Sequence, residues 1–324
     1  MKTRRLGTSG LAVSVVGLGG NNLGRPGTAT ESAEGATALV HAAIDAGITL
    51  FDTADVYGAT PGLSEELLGR ALGTRRDDVV VATKFGMDMR GANGPDYGAR
   101  GSRRYIITAV EASLRRLGTE WIDLYQFHTP DPLTPIGETL AALDTLVQSG
   151  KVRYVGHSNR AGWQIAEAEF IARISGHTRF ISAQNHYNLL DRRAELEVVP
   201  AALAYGLGLL PYFPLANGLL TGKYSAGTAP AGSRLTHSRT QLLEQADFGQ
   251  LGRFGDFAKA RELTEVEVAF SWLASRPTVA SVIAGATTPE QVRQNARAAD
   301  WEPTVADLAE LDEIFPQAAK VALF

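Results

Sequence analysis

Residues 48–58 read ITLFDTADVYG, an apolar run that ends at Asp52 and is followed by Tyr57. Five later apolar runs likewise end in residues with reactive or hydrogen-bonding side chains. They are VVVATKFG (79–86), IDLYQFHTPD (122–131), VRYVGHSN (152–159), FISAQNHYN (180–188) and LGLLPY (207–212). Near-continuous apolar runs are typical of parallel strands, which are buried on both faces of the sheet. Because the carboxyl ends of such strands open onto one face, we expect these polar residues to meet in one pocket.

Helical patterns alternate with strand patterns along the whole chain. The predicted strands lie near 13–17, 48–51, 79–83, 122–127, 152–155, 180–183, 207–212 and 281–284. The predicted helices cover 32–46, 64–72, 102–117, 136–148, 162–174, 193–205, 264–274 and a segment from Pro289. Strict alternation predicts a parallel sheet, and eight units favour closure into a (β/α)8 TIM barrel.

Additions at both ends complete the predicted fold. An N-terminal β-hairpin turns through residues 7–10, and an additional C-terminal helix covers 305–314. The whole chain, residues 1–324, is interpreted as a single barrel domain. The alternative is an open doubly wound sheet, which would want a G-x-G-x-x-G turn running directly into a helix. Residues 17–20 (GLGG) come near that pattern, but 21–28 are predicted to be loop, which favours the barrel.

Two segments, 86–101 and 224–255, are predicted to be long loops that rise from the catalytic face. The first carries Asp88, Arg90, Asp96, Tyr97 and Arg100. These polar side chains favour a polar or phosphorylated carbonyl compound, or a sugar, over a steroid as the substrate.

Composition excludes several classes of function. The formal net charge of −4 argues against a nucleic-acid-binding surface. The absence of cysteine excludes disulfides, thiol catalysis and cysteine-based metal sites. No signal peptide is recognised, and no apolar run approaches the length of a membrane span. We therefore expect a cytoplasmic protein that binds neither membranes nor nucleic acids, with a homo-oligomer possible.

The early strand ends carry four groups suited to proton transfer: Asp52, Tyr57, Lys84 and His128. A tyrosine hydroxyl is a poor proton donor at neutral pH unless it is tuned, and a nearby ammonium lowers its pKa. A carboxylate would hold the lysine, and a histidine could orient a carbonyl. Each of these residues alone could be structural. Their combination on successive strands suits protonation of an oxygen during carbonyl reduction, and His157 and His186 are interpreted as satisfied structural histidines.

The residues at the later strand ends indicate a cofactor-binding site. Ser158, Asn159 and Gln184 are neutral groups that suit a carboxamide, and Tyr212 could stack on a flat ring or could be a packed core aromatic. After the last strand, Thr288 is the predicted N-cap of a helix, with Gln291 at N3 as in a capping box. Helix N-termini bind phosphate, and the loop residues Lys223 and Arg234 could add cations or could be solvated charges.

Seven segments together resemble the aldo-keto reductases, in particular the branch of the potassium-channel β subunits and bacterial glyceraldehyde-phosphate reductases. They are FDTADVYG (51–58), VATKFG (81–86), DLYQFHTPD (123–131), GHSN (156–159), SAQNHYN (182–188), YFPLANGLLTGKY (212–224) and IAGATTPEQVRQN (283–295). The resemblance implies that Asp52, Tyr57, Lys84 and His128 form a catalytic tetrad with Tyr57 as general acid. It also implies that NADP(H) binds across the barrel mouth, without a metal. The implied cofactor contacts are Gly20, Asn21, Asp52, Ser158, Asn159, Gln184, Tyr212, Pro214, Leu215, Gly218, Lys223, Arg234, Gly285, Thr287, Gln291 and Asn295.

The chain departs from the family pattern at a few positions. Thr287 stands where serine is usual, Gln294 where glutamate is frequent, and Asn21 and Asn22 where threonine and a bulky residue are often found. These differences concern cofactor preference and pocket shape.

Three hypotheses about function follow. The first is an NADPH-dependent reductase of a small-molecule aldehyde or ketone. The second is an NADP(H)-binding regulatory or redox-sensing subunit with little turnover. The third is a metal-dependent hydrolase with Asp52 and His128 as ligands, which is weaker because such sites need three or four ligands.

Overall fold

A two-stranded antiparallel hairpin opens the chain in the computed structural model, which describes residues 1–225, 229–230, 234–237 and 239–317. Strands β1 (Thr3–Arg5) and β2 (Ala12–Ser14) pair with Thr3 opposite Ser14. Leu6 and Val13 pack in one cluster with Leu50 and Leu124 of the following sheet. The predicted N-terminal hairpin is confirmed, and it packs against the amino-terminal end of that sheet.

Eight parallel strands form the central sheet. They are β3 (Val16–Gly19), β4 (Leu50–Asp52), β5 (Val80–Phe85), β6 (Ile122–Phe127), β7 (Val152–Ser158), β8 (Ser182–Gln184), β9 (Gly208–Leu209) and β10 (Val282–Gly285). Consecutive strands are neighbours from β3 to β9, and β10 pairs with β3. The remaining gap is bridged by hydrogen bonds from Leu209 N–H to Thr278 O (2.7 Å) and from Ala280 N–H to Leu209 O (3.0 Å). The predicted (β/α)8 barrel is confirmed.

Helices surround the sheet and continue into a C-terminal extension. They are α1 (Ala33–Asp45), α2 (Leu63–Leu72), α3 (Arg103–Leu117), α4 (Ile136–Gln148), α5 (Gly162–Ser175), α6 (Val198–Tyr205), α7 (Arg234–His237), α8 (Thr240–Glu244), α9 (Phe248–Lys259), α10 (Glu265–Ala274), α11 (Pro289–Arg297) and α12 (Val305–Ile314). Local chemistry sets several of these ends. Ser102 accepts a hydrogen bond from Tyr105 N–H at the start of α3, and Gly118 takes a left-handed conformation at its end.

The first predicted strand, residues 13–17, is wrong in detail, because it spans the end of β2 and the start of β3. Val15 separates the two strands, and Ser14 at the end of β2 fixes the turn. Its hydroxyl donates to Val16 O at 2.6 Å and accepts from Thr49 N–H at 3.0 Å. The residue pattern VSVVG (13–17) does not show such a turn.

The predicted loop 224–255 is also wrong, because it contains α7, α8 and the start of α9. Three glycines in α9 lower its intrinsic helix propensity, so the sequence pattern did not predict a helix there. Burial of Phe254 and Phe257 and an N-cap at Asp247 stabilise the helix instead. Predicted helix 193–205 is similarly a short 3-10 turn followed by α6. That helix begins two residues before Pro200, which lacks an N–H and fits only in a first turn.

His157 lies on β7, facing the helices, and differs from the satisfied histidine that the sequence suggested. Its ring is fully buried and packs edge-on against Phe180 with centroids 5.1 Å apart. Neither ring nitrogen has a hydrogen-bond partner among the described residues. Burial, with a smaller effect from the Arg160 charge, lowers the pKa of His157 to about 3.

We expect the free energy of unfolding to fall on acidification partly through His157. In the unfolded chain His157 binds a proton below its ordinary pKa of about 6.5. In the folded chain it binds that proton only below about pH 3. Each such group contributes a slope of ~1.4 kcal/mol per pH unit between those values. The free energy of unfolding of the His157→Leu variant, measured with urea at several pH values, should depend less steeply on pH than that of the wild type. The difference in slope should correspond to about one bound proton. An unchanged slope would contradict this origin of the acid sensitivity.

Candidate active site

The polar side chains at the strand ends follow the alternation of the strands into the barrel interior. Leu50, Ala82 and Leu124 belong to the inner cluster of apolar residues. Because side chains alternate between faces, the residue two positions later points to the same side. Asp52, Lys84 and Gln126 therefore cap this cluster at its carboxyl-terminal end.

Asp52 is the centre of a buried hydrogen-bond network. Its Oδ2 accepts from Lys84 Nζ at 2.6 Å, and its Oδ1 accepts from the amides of Gln126 and Gln184, each at 2.9 Å. Lys84 Nζ also donates to the backbone oxygen of Thr53 at 2.8 Å. The carboxylate is thus satisfied from three strands, and the lysine is fixed in one position.

Lys84 remains charged although it has no exposed surface. Burial by itself lowers the pKa of its amine, but the neighbouring Asp52 carboxylate and the Tyr57 side chain outweigh that effect and raise it. The ammonium lies 5.2 Å from the centre of the Tyr57 ring. A fixed positive charge therefore stands beside the phenol.

The pKa of Tyr57 is raised, in contrast to the lowering that the sequence suggested. Burial of the phenol is the largest cause; Lys84 acts in the expected downward direction but is outweighed. The hydroxyl therefore keeps its proton at neutral pH, and the ammonium acts by stabilising the phenolate that proton transfer creates.

His128 faces Tyr57 across the floor of the site. The two rings meet edge to face with centroids 5.8 Å apart. Burial and the Lys84 charge lower the pKa of His128 to about 3, so the ring is neutral at physiological pH. A neutral imidazole donates one hydrogen bond without adding charge.

Asn159 and Tyr212 form the wall next to this floor. The Tyr212 hydroxyl donates to Asn159 Oδ1 at 2.8 Å, and the Asn159 amide donates to Ser158 Oγ and to His128 O, both at 3.0 Å. His186 stacks on Tyr212 with centroids 5.5 Å apart and an interplanar angle of 9°. Nδ1 of His186 lies 3.0 Å from Oδ2 of Asp191, which fixes the His186 ring. The stacked His186 ring in turn fixes the plane of the Tyr212 ring.

Backbone strain concentrates in the same wall. Among the residues that the structure describes, eight non-glycine residues have positive φ, and four of them, Asn159, Phe213, Asn217 and Arg239, line the cleft described below. Such conformations cost on the order of 1–3 kcal/mol each and cluster at functional sites. Their presence supports a role for this wall in binding.

The N-terminus of α11 differs in one detail from the predicted capping box. Thr288 Oγ1 accepts from Gln291 N–H at 3.3 Å, as predicted. The Gln291 side chain, however, accepts from Thr287 N–H (2.8 Å) and Thr287 Oγ1 (3.1 Å), not from the N-cap residue. A phosphate bound here would take over donors that Gln291 now occupies.

One cleft of about 1550 Å³ joins all these features across the carboxyl ends of the strands. The predicted residues that line it are Asn21, Asp52, Tyr57, His128, Ser158, Asn159, Gln184, Tyr212, Pro214, Leu215, Gly218, Lys223, Gly285, Thr287, Gln291 and Asn295. Lys84 lies behind this surface, in contact with Asp52. Gly20 does not line it; a side chain there would press on Asp52 O and Ser64 Oγ. Arg234 begins α7, but its side chain lies outside the described part of the chain.

Several residues of the site were missed in the sequence. Gln126 supports Asp52, and its position two residues before His128 on one strand was the available signal. Arg25, Met87 and Arg239 line the cleft. Met87 and Arg239 lie in the two segments that were predicted to rise from the catalytic face, but no pattern in the sequence singled out these residues. In loop 86–101, by contrast, Arg100 pairs with Asp96 (2.6 Å) and Asp88 (3.4 Å), so these charges satisfy one another.

Two other properties bear on the class of protein. Within residues 1–225, 229–230, 234–237 and 239–317, no three His, Asp or Glu residues are grouped so that they could hold a metal ion. The described helices include none that is both long and apolar enough to cross a membrane.

Comparison with known proteins agrees with this geometry. The model of the aldo/keto reductase family matches residues 15–315. The chain belongs to the aldo/keto reductase family. The family generally uses NAD(P)H, and a small-molecule substrate fits an enzyme of this family.

Full-length relatives carry both enzymatic and regulatory names. An uncharacterized oxidoreductase, YrpG, of Bacillus subtilis is 38% identical, covering 98% of this chain and 96% of the relative. A probable voltage-gated potassium channel subunit beta of Oryza sativa is 36% identical, covering 94% and 92%. The L-glyceraldehyde 3-phosphate reductase of Escherichia coli is 34% identical, covering 97% and 92%. This aldo/keto reductase therefore has relatives named for catalysis and for channel association.

Proposed function

We propose that this protein is an NADPH-dependent reductase of small aldehydes or ketones, with Tyr57 as general acid. The observation that carries the proposal is the group of Tyr57, Lys84, Asp52 and His128 at the floor of the large cleft. A protonated phenol beside a fixed ammonium is suited to give a proton to a carbonyl oxygen as negative charge develops on it.

The residues of the cleft fit a nicotinamide dinucleotide. Ordinary ligand pockets measure roughly 300–1,000 Å³, so a cleft of about 1550 Å³ has room for a dinucleotide and a substrate together. Tyr212 offers a ring held in one plane, and Asn159 and Ser158 offer neutral polar groups for a carboxamide. Lys223, Arg239 and Arg297 line the same cleft, and α11 directs its N-terminus there; these groups would hold the phosphates.

In the proposed mechanism the bound dinucleotide supplies the hydride that reduces the carbonyl carbon. The protein supplies the proton. Tyr57 donates its hydroxyl proton to the carbonyl oxygen, and Lys84 stabilises the phenolate that remains. Asp52 keeps the ammonium in place, and neutral His128 donates a hydrogen bond that orients the carbonyl. The same groups run in reverse for alcohol oxidation.

One charged residue of the cleft, Arg25, supports a polar or anionic carbonyl compound as the substrate. Arg25 is half-buried in the cleft wall, where Asn22 Oδ1 holds its guanidinium at 3.1 Å. Arg25 has no carboxylate partner within 4 Å among the described residues, so its charge is available to a ligand. The polar residues of loop 86–101, which pair with each other, do not add to this preference.

The test is NADPH oxidation, followed by absorbance, across a panel of glyceraldehyde phosphate, methylglyoxal, aromatic aldehydes and quinones, repeated with NADH. We expect turnover with at least one aldehyde and a lower KM for NADPH than for NADH. A chelator should leave the activity unchanged. No turnover across the panel would contradict the proposal.

A second candidate function is a regulatory or sensing subunit that binds NADP(H) and turns over slowly. The observation that favours it is the full-length similarity to a protein named as a probable potassium channel subunit beta. Tight NADPH binding by calorimetry together with near-zero turnover on the panel would identify this function. Turnover at ordinary enzyme rates would exclude it.

A further inference from the structure

Exposed apolar side chains are concentrated on the outer surface of α5 and α6. Trp163, Phe170 and Ile174 on α5 and Leu203 on α6 are each more than half exposed. We call these four residues the α5 patch. Isolated exposed apolar residues are ordinary, but a contiguous group of large ones marks an interaction surface.

The three α5 residues of the patch lie along one face of the helix. Residues 163, 170 and 174 follow the i, i+7, i+11 spacing of one helix face, and Glu167 lies on the same face between Trp163 and Phe170. Phe170 packs edge-on against Tyr205 of α6, with ring centroids 6.0 Å apart, which joins the two helices. From residue 163 to residue 174 the patch extends over about 17 Å of α5.

The charges beside the stripe are arranged with opposite signs at its two ends. Near the C-terminal end, the buried Glu169 carboxylate is shared by two guanidinium groups, Arg173 at 2.6 Å and Arg179 at 2.5 Å, which leaves one positive charge in excess. Towards the N-terminal end, Glu167 is exposed and has no cation within 4 Å among the described residues. The face therefore carries a negative and a positive end.

We propose that the α5 patch is the interface of a two-fold symmetric dimer with a second copy of this chain. In a symmetric dimer the same surface must be complementary to itself. An antiparallel pairing of the two α5 helices centred on Phe170 places residue 167 of each copy level with residue 173 of the other. Glu167 then meets the surplus positive charge at Arg173, twice per interface.

The same pairing buries the apolar stripe. Phe170 meets its own copy on the two-fold axis, and Ile174 lies level with Ala166 of the second copy. Trp163 and Phe170 supply the aromatic side chains that are enriched at the centres of interfaces. The opposed charges set the antiparallel direction, since a parallel pairing would place like charges together. None of the four patch residues lines the cleft at the carboxyl ends of the strands, so the cleft stays open in this dimer.

The first test is the molar mass in solution, measured by light scattering and sedimentation over a concentration series. We expect the wild-type chain at twice its monomer mass of 34.6 kDa. Ile174→Asp should raise the dimer dissociation constant at least tenfold, because an unpaired carboxylate would be buried in the interface. Val305→Asp is the matched control: Val305 is 86% exposed and Ile174 is 85% exposed, but Val305 lies on α12. It should leave the dimer intact.

The second test uses the absence of cysteine from the natural sequence. A Phe170→Cys variant has one thiol per copy, on the proposed two-fold axis, and should form a covalent dimer with a short bis-maleimide. A Val305→Cys variant should remain uncross-linked at the same concentration. Circular dichroism and turnover measured on each variant show that it has folded.

A monomeric wild-type protein would overturn the proposal. So would a dimer that persists unchanged in a folded Ile174→Asp variant, or a Phe170→Cys variant that cross-links no more than the control. These readouts do not depend on catalysis.

Discussion

Replacement of Tyr57 by phenylalanine is expected to lower kcat for aldehyde reduction by at least ~10²–10⁴-fold, the usual contribution of a positioned general acid. The ring and its contacts with His128 and Lys84 remain, but the proton donor is lost. NADPH binding should stay within about twofold of the wild type, because the groups proposed to hold the carboxamide, the ring and the phosphates, from Ser158 to Arg297, remain unchanged. Steady-state turnover and fluorescence titration with NADPH measure the two quantities.

Tyr205→Phe provides a matched control, since Tyr205 lies on α6 outside the cleft and the change removes the same hydroxyl. It should leave kcat and KM unchanged. Full activity in a folded Tyr57→Phe variant would contradict the role of the phenol. An equal loss in NADPH binding would indicate that Tyr57 acts through the cofactor site.

Lys84→Met should damage both catalysis and stability. The substitution removes the only cation within 4 Å of Asp52 among the described residues and leaves a buried carboxylate with two amide donors. Breaking a buried ion pair from one side typically costs 3–5 kcal/mol, so we expect a loss of ~3–5 kcal/mol in the free energy of unfolding. Because the ammonium no longer stabilises the phenolate, kcat should also fall by at least ~10²-fold.

A double-mutant cycle separates the two effects. In Lys84→Met/Asp52→Asn no buried charge is left alone, so the double variant should be more stable than the sum of the single losses predicts. Its activity should remain low because the charge beside Tyr57 is still missing. Additive losses in urea unfolding would contradict the coupling of Lys84 to Asp52.

The barrel and the floor of the site were predictable because strand alternation controls both. Leu50 and Asp52 share one face of β4, and Ala82 and Lys84 share one face of β5. An apolar run that ends in a charged residue therefore indicates that this residue lies at the floor of a pocket. Gln126 follows the same alternation but was overlooked. A glutamine between two aromatic residues suggests no function in the sequence, and its role is visible only from its hydrogen bond to Asp52.

Properties that depend on three-dimensional environment were not predictable. The raised pKa of Tyr57 follows from burial, which the sequence does not report, while the opposing effect of Lys84 was visible in the motif. Gln184 was assigned to a cofactor carboxamide, and the structure shows that its amide already donates to Asp52. The positive φ of Asn159 and Phe213 and the helix hidden in the predicted loop 224–255 likewise depend on tertiary contacts.

The most direct test of the central claim is transfer of label from NADPH deuterated at the nicotinamide C4 to the product. The wild-type protein should convert an aldehyde from the panel into an alcohol that carries deuterium on the former carbonyl carbon, while Tyr57→Phe should form almost none. Wild-type protein that binds NADPH tightly but yields no deuterated alcohol with any aldehyde of the panel would contradict the assignment as a carbonyl reductase.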